Sequence, residues 1–149
     1  MITFEPKPIP IFPNYRPMYR VGQILLILHF NSIASKASLL KLHLFSWALN
    51  QDKNLQVLQQ FVISKFKTRL QYFGIEPSLN RALNYGIAEG LIHFDGSKYQ
   101  ISEKGLKFLK LILEDEELFQ NEKAVLQTIG KKISESKVVE LKKSWENNA

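Results

Sequence analysis

PSLNRALNYGIAEGLIHFDGSKYQISEKGLKFLKLIL, residues 77–113, is the stretch on which the fold turns. Pro77-Ser78 opens a segment in which Leu79, Ala82, Leu83 and Ile87 recur at helical spacing, and Gly90 offers the left-handed residue that ends such a helix. Two short apolar stretches follow, 91–94 (LIHF) and 99–101 (YQI), around the loop Asp95-Gly96-Ser97-Lys98. That pattern predicts a hairpin with a protruding loop. Residues 102–105 (SEKG) then lead into Leu106, Leu109, Ile112 and Leu113, a second helix.

Upstream, Val21, Ile24, Leu25 and Leu28 follow the i, i+3, i+4, i+7 spacing, while Leu26, Ile27 and Phe30 cover a second face. A helix apolar nearly all round belongs in a core or an interface. Asn31-Ser32 ends it, and Ser35 is the expected cap of the next helix, which runs to about Leu49. That helix carries Leu39, Leu42, Phe45 and Leu49 on one stripe and Leu40, Leu44 and Trp47 on another. A third helix is expected over about 54–66, through Leu55, Leu58, Phe61 and Val62. Residues 65–74 (KFKTRLQYFG) alternate basic and apolar side chains, as a short strand or a loop would. Downstream of 113 comes an acidic link, then helices over about 117–129 and from a Ser134 cap to about Trp145. The sum is a mainly α fold. It comprises an extended Pro-rich arm (1–18), a winged-helix-like domain with a short β-hairpin wing (19–113), and a C-terminal helical hairpin (114–149).

Composition excludes several classes. At 149 residues, 45% apolar and 23% charged, the chain can bury a proper core. It has no cysteine, hence no disulfide, thiolate metal site or thiol nucleophile. The longest apolar run, 24–30 broken by His29, falls short of the roughly 20 residues of a membrane span. No leader-like pattern opens the sequence, so the cytoplasm is the expected compartment, with no membrane association. Residues 1–75 hold nine Lys/Arg against Glu5 and Asp52, a net +7, whereas 76–149 hold eleven against twelve, a net −1. A basic half suits nucleic acid or an acidic protein face, or simply a solvated surface.

No constellation for catalysis or metal binding stands out. His29, His43 and His93 sit apart in apolar surroundings, no HExxH or glycine-rich phosphate loop occurs, and the carboxylates cluster only at 114–117. The expectation is no enzyme, no metal and no cofactor.

Were the helix over 78–89 to enter a DNA groove, Asn80, Arg81 and Asn84 would face outward, with Tyr85, Ala88 and Glu89. Arg81 suits guanine and the asparagines adenine. One cation against one anion anchors phosphate poorly, and the hairpin loop adds only Lys98, opposed by Asp95. The basic surplus lies over 36–69, where Lys36, Lys41, Lys65, Lys67 and Arg69 are the candidates for non-specific contact. Protein docking is therefore the leading expectation. Its candidate residues are Phe4, Ile11, Phe12 and Tyr15 of the arm, whose first 17 residues hold five of the six prolines, and Leu118, Phe119, Val139 and Trp145 of the last two helices. The second faces of the first two helices join them. The alternative is that these surfaces pack on one another.

The segments RVGQILLILHF (20–30), SLLKLHLFSWALN (38–50), LNRALNYGIAEGLI (79–92), YQISEKGLKFLKLI (99–112) and IGKKISESKVVELKKSW (129–145) together resemble the middle component of bacterial ABC-three-component systems. The resemblance implies a small non-enzymatic subunit encoded beside an SMC-like ATPase and an effector, often a nuclease, as in Lamassu-type anti-phage and anti-plasmid defence. Such a subunit bridges or restrains the other two, with DNA ends or foreign replication structures as the trigger. It assigns no role to any single residue. The alternative function is a winged-helix DNA-binding transcription regulator.

Overall fold

The computed structural model describes residues 17–68, 70 and 77–147. Phe4, Ile11, Phe12, Tyr15 and Arg69 lie outside the described residues, as does the side chain of Trp145. Among the described residues the chain forms α1 (Pro17–Phe30), β1 (Lys36–Ser38), α2 (Leu39–Asn50), α3 (Asp52–Ile63), α4 (Pro77–Ala88), β2 (Ile92–Phe94), β3 (Lys98–Ile101), α5 (Glu103–Glu114), α6 (Gln120–Ile129) and α7 (Glu135–Asn147). The fold is mainly helical, with one small antiparallel sheet ordered β1-β3-β2.

The all-round apolar character of α1 has a direct structural outcome: every residue from Arg20 to Leu28 is buried. Four helices, α2, α4, α5 and α6, pack around it. Its second face, a candidate partner surface on sequence grounds, is thus consumed by the chain's own core. On α2 the second stripe is consumed only in part: Leu44 is buried, while Leu40 and Trp47 are half-buried against the core.

Two polar residues tie the bundle together. Arg20 is only 3% exposed. Its guanidinium donates to Gln23 Oε1 (2.7 Å), Ser46 Oγ (2.9 Å), Asn50 Oδ1 (3.0 Å) and Ser78 Oγ (3.3 Å), joining α1 to α2 and to the start of α4. A charge can be buried only when its donors are satisfied in this way. Asn31, fully buried just past α1, donates from Nδ2 to Leu126 O (2.9 Å) and Gly130 O (2.8 Å). It thereby adds a second donor to Leu126 O, which already accepts from Gly130 N (2.9 Å), and supplies one to Gly130 O beyond the end of α6.

Ser38, and not Ser35, caps α2: its hydroxyl accepts from Lys41 N at 3.1 Å. Ala34 and Ser35 are left-handed (φ 56° and 57°), and this reversal sends residues 36–38 into β1 instead of starting a helix. The third helix likewise stops at Ile63, because Lys65 and Phe66 are left-handed (φ 61° and 67°). There Ser64 Oγ accepts from Lys67 N and Thr68 N, both at 3.1 Å, so residues 65–68 form a turn, the loop of the two alternatives and not the strand.

Over 77–113 the local signals act as read. Gly90 (φ 77°) closes α4, with Leu91 N bonded to Gly86 O and Gly90 N to Ile87 O. These two bonds form a Schellman cap. Asp95 Oδ1 accepts from Ser97 N (2.9 Å) and Lys98 N (2.8 Å), pinning the hairpin turn. Ser102 Oγ caps α5 through Gly105 N (2.9 Å) while donating to Gly90 O (2.6 Å). Two residues of the expected apolar spacings are not buried. Ile87 is 39% and Leu106 50% exposed. On α5 the buried line is Gly105, Leu109, Ile112, which keeps the expected Leu109 and Ile112 and puts Gly105 in the place of Leu106.

Residues beyond 114 share the same core, since Leu126, Ile129, Ile133 and Val138 are fully buried in it. α6 packs across α1 and α3, and α7 lies on α2. α6 starts three residues later than expected. Asp115 Oδ1 first accepts from Glu117 N and Leu118 N, and Phe119 turns left-handed (φ 56°). Ser134 caps α7, accepting from Lys137 N at 3.1 Å.

Candidate interaction surfaces

The sheet sorts its side chains by the period of two along a strand. Pairing sets Lys36 opposite Gln100, Ser38 opposite Lys98, and His93 opposite Gln100, so these five share one face. The other face carries the buried Ala37, Ile92 and Ile101, with Tyr99 and Phe94 stacked at its margin (ring centroids 4.5 Å apart). One side of the sheet is therefore core, and the other is polar and basic.

Against that basic face the first turn of α2 brings Lys41, and the turn between α6 and α7 brings Lys131, Ser134, Glu135 and Ser136. Together with Lys36, Lys98, Ile33, Ala34 and Ile133 they bound a cavity of about 430 Å³. Glu135 Oε2 accepts from Ser38 N (3.0 Å), which holds α7 to the β1–α2 junction. Lys41 is only 3% exposed, and burial pushes its ammonium below the usual lysine range. Glu135 pulls it back up, while Lys98 and Lys131 push it down further. Among the described residues, no hydrogen bond or ion pair is made by the Lys41 ammonium.

Of the nucleic-acid candidates, then, Lys36, Lys41 and Lys98 come together. Lys41 is a correction in one respect: it is a buried cavity-lining residue and not part of an open surface. Lys65 and Lys67 are exposed beyond the end of α3, a separate place held to α7 by Lys137, whose ammonium lies 4.7 Å from the Phe66 ring centre. Asn80, Arg81 and Asn84 are all exposed on α4, beside Tyr85. Sequence reasoning missed Lys131. Its only sequence mark is the pair Lys131-Lys132 after Gly130, and the other three lysines of the cavity lie 33 or more positions away.

The partner-binding candidates divide. Phe119 is a correction: it is 7% exposed, its ring 4.8 Å from that of Tyr19 and packed against Gly22. The left-handed backbone that delays α6 is what turns this side chain inward. Leu118 is half-buried against the core, and Val139 is 44% exposed. A different apolar surface emerges along α5. Leu111 is 64% exposed, and with Met18, Leu91 and Phe108 it lines a groove of about 250 Å³ rimmed by Glu89, Lys104 and Lys107. Leu106, 50% exposed, lies on the same helix.

Among the described residues no three His, Asp or Glu side chains gather as a metal site, and no helix is long and apolar enough to cross a membrane. Comparison with protein families, with curated proteins and with solved structures finds no match to this chain.

Proposed function

We propose that the chain is a non-enzymatic adaptor subunit built on a winged helix. In this reading it bridges an SMC-like ATPase and an effector such as a nuclease, within a bacterial anti-phage or anti-plasmid assembly. The topology supports the winged helix. The order helix, strand, helices, hairpin, with the first strand pairing beside the last, is compatible with that fold carrying one additional helix before the hairpin. In this reading the loop over residues 95–98 is the wing. The observation that carries the adaptor reading is the α5 groove, where Leu111 stands well out of the surface beside Phe108 and Met18. One exposed leucine beside half-buried Phe108 and Met18, in a concavity rimmed by two lysines and Glu89, suits a protein anchor with a carboxylate beside it.

The test is co-purification with the products of the neighbouring genes, which this reading requires to include the ATPase and the effector. Capture of both, lost on Leu111→Asp with the fold retained by circular dichroism, is the expected result. A chain that captures neither overturns the proposal.

A second reading, a DNA-binding transcription regulator, is favoured by the outward set Asn80, Arg81 and Asn84 on the helix that precedes the hairpin. That is where a recognition helix stands. It requires salt-sensitive binding to a defined operator and a loss of about 1–3 kcal/mol of sequence preference on Arg81→Ala. Equal affinity for every duplex, unchanged by that substitution, excludes it.

A further inference from the structure

We propose that the cavity between the sheet and the α6–α7 turn is a binding site for a phosphate-bearing ligand, held by Lys36, Lys41, Lys98 and Lys131. The charge count motivates it: four lysines line the space against one carboxylate, Glu135, a surplus of three positive charges. That carboxylate already accepts a backbone hydrogen bond from Ser38, so part of its charge is engaged within the protein. Four ammonium groups set around one concavity repel one another, and burying one of them adds desolvation to the repulsion. Lys41 feels both effects: the residue is 3% exposed, its ammonium has no hydrogen-bond or ion-pair partner among the described residues and keeps only a residual contact with solvent, and Glu135 offsets part of the repulsion. An anion in the cavity relieves both costs at once.

Phosphate chemistry fits better than a carboxylate for two reasons. A phosphate ester or a polyphosphate brings two or more negative charges, which matches the surplus, whereas a carboxylate brings one. The start of α7 also faces the cavity through Ser134, Glu135 and Ser136, adding hydroxyls and the positive end of a 13-residue helix. At about 430 Å³ the space exceeds a bare phosphate. Ile33, Ala34 and Ile133 give it an apolar wall for whatever carries the phosphate. Two sources share this chemistry, a free nucleotide and the terminal phosphate of a nucleic-acid strand. The inference stands independently of the adaptor reading, which rests on a different surface.

Calorimetric titration of the full chain with pyrophosphate, with ATP, and with 5′-phosphorylated and 5′-hydroxyl oligonucleotides of one sequence tests it. Saturable binding of pyrophosphate is expected, weakened roughly tenfold or more by Lys131→Ala or Lys98→Ala, since a charge-assisted bond is lost in each. Lys41→Met removes a buried charge, so it should keep or raise the melting temperature while abolishing binding. ATP binding without strand binding assigns the site to a free nucleotide. A preference for the 5′-phosphorylated strand over the 5′-hydroxyl one assigns it to a strand end. If no phosphate compound binds, or if the Lys110→Ala variant, altered on an exposed part of α5 outside the cavity, weakens binding as much as Lys131→Ala does, the proposal fails.

Discussion

Gly105→Ala probes the closest backbone approach among the glycines described. A methyl group at Gly105 would lie 2.2 Å from Leu91 O and 3.1 Å from Leu91 C, with Ile101 Cγ2 at 2.9 Å. An unstrained carbon–oxygen contact is about 3.3 Å or more, so the carbonyl would have to retreat by roughly 1 Å. It is not free to do so, because Leu91 O accepts from Ser102 N (3.1 Å) at the very cap of α5. Overpacking of this kind costs about 1–3 kcal/mol, and the lost hydrogen bond about 1 more. Replacing a helical glycine by alanine returns about 1 kcal/mol. The net is a destabilisation of about 2 kcal/mol, which for a chain of this size lowers Tm by about 4–8 °C. Gly86→Ala is the comparison: its nearest contact, 2.7 Å, is the flexible end of Ile92, so the substitution should cost clearly less. Thermal melts of both variants, followed by circular dichroism, decide the matter. A Gly105→Ala protein melting at or above the parent, or above Gly86→Ala, would refute the reasoning.

Arg20→Ala removes the shared donor for Gln23, Ser46, Asn50 and Ser78, and urea unfolding should register a loss of about 3 kcal/mol. Asn31→Asp sets a carboxylate against the carbonyls of Leu126 and Gly130. Its destabilisation should be large at pH 7 and shrink in acid, as protonation restores a donor that can reach one of the two. Burial, with Asp52 adding to it, raises the Glu122 carboxyl above its usual range despite a hydrogen bond from its own backbone N–H. The folded state then holds that proton more tightly than the unfolded chain, so stability falls as pH rises from the unfolded pKa through the folded one. Glu122→Gln should therefore be more stable than the parent at pH 7 and should flatten that slope in pH-dependent denaturation.

What the sequence discloses depends on how far apart the cooperating residues lie. The helix–hairpin–helix over 77–113 was legible because Gly90, Asp95 and Ser102 each act on backbone groups within a few positions. β1 was not, since three residues show no periodicity and their hydrogen-bonding partner is some 60 positions away. Phe119 looked like a surface anchor because nothing in 114–119 announces a left-handed residue. The α5 groove was hidden because Leu106 and Leu109 look equivalent in sequence, whereas Leu109 is buried and Leu106 is exposed, with the small Gly105 turned to Leu91 instead. For the lysine cavity, composition identified three of its four cations as basic residues without showing that they meet. Their meeting, and the addition of Lys131, follow from sheet register and the docking of α7.

The hold of Asn31 on the end of α6 bears on how the polypeptide tolerates shortening. The last two helices are not an appendage that a cut after Glu114 would release cleanly. Such a cut would uncover the flank of α1 that α6 shields and leave the Asn31 amide without Leu126 and Gly130 to receive it. The remaining stump should clump or become a ready target for proteases, even though every residue of the hairpin and its flanking helices is still in place.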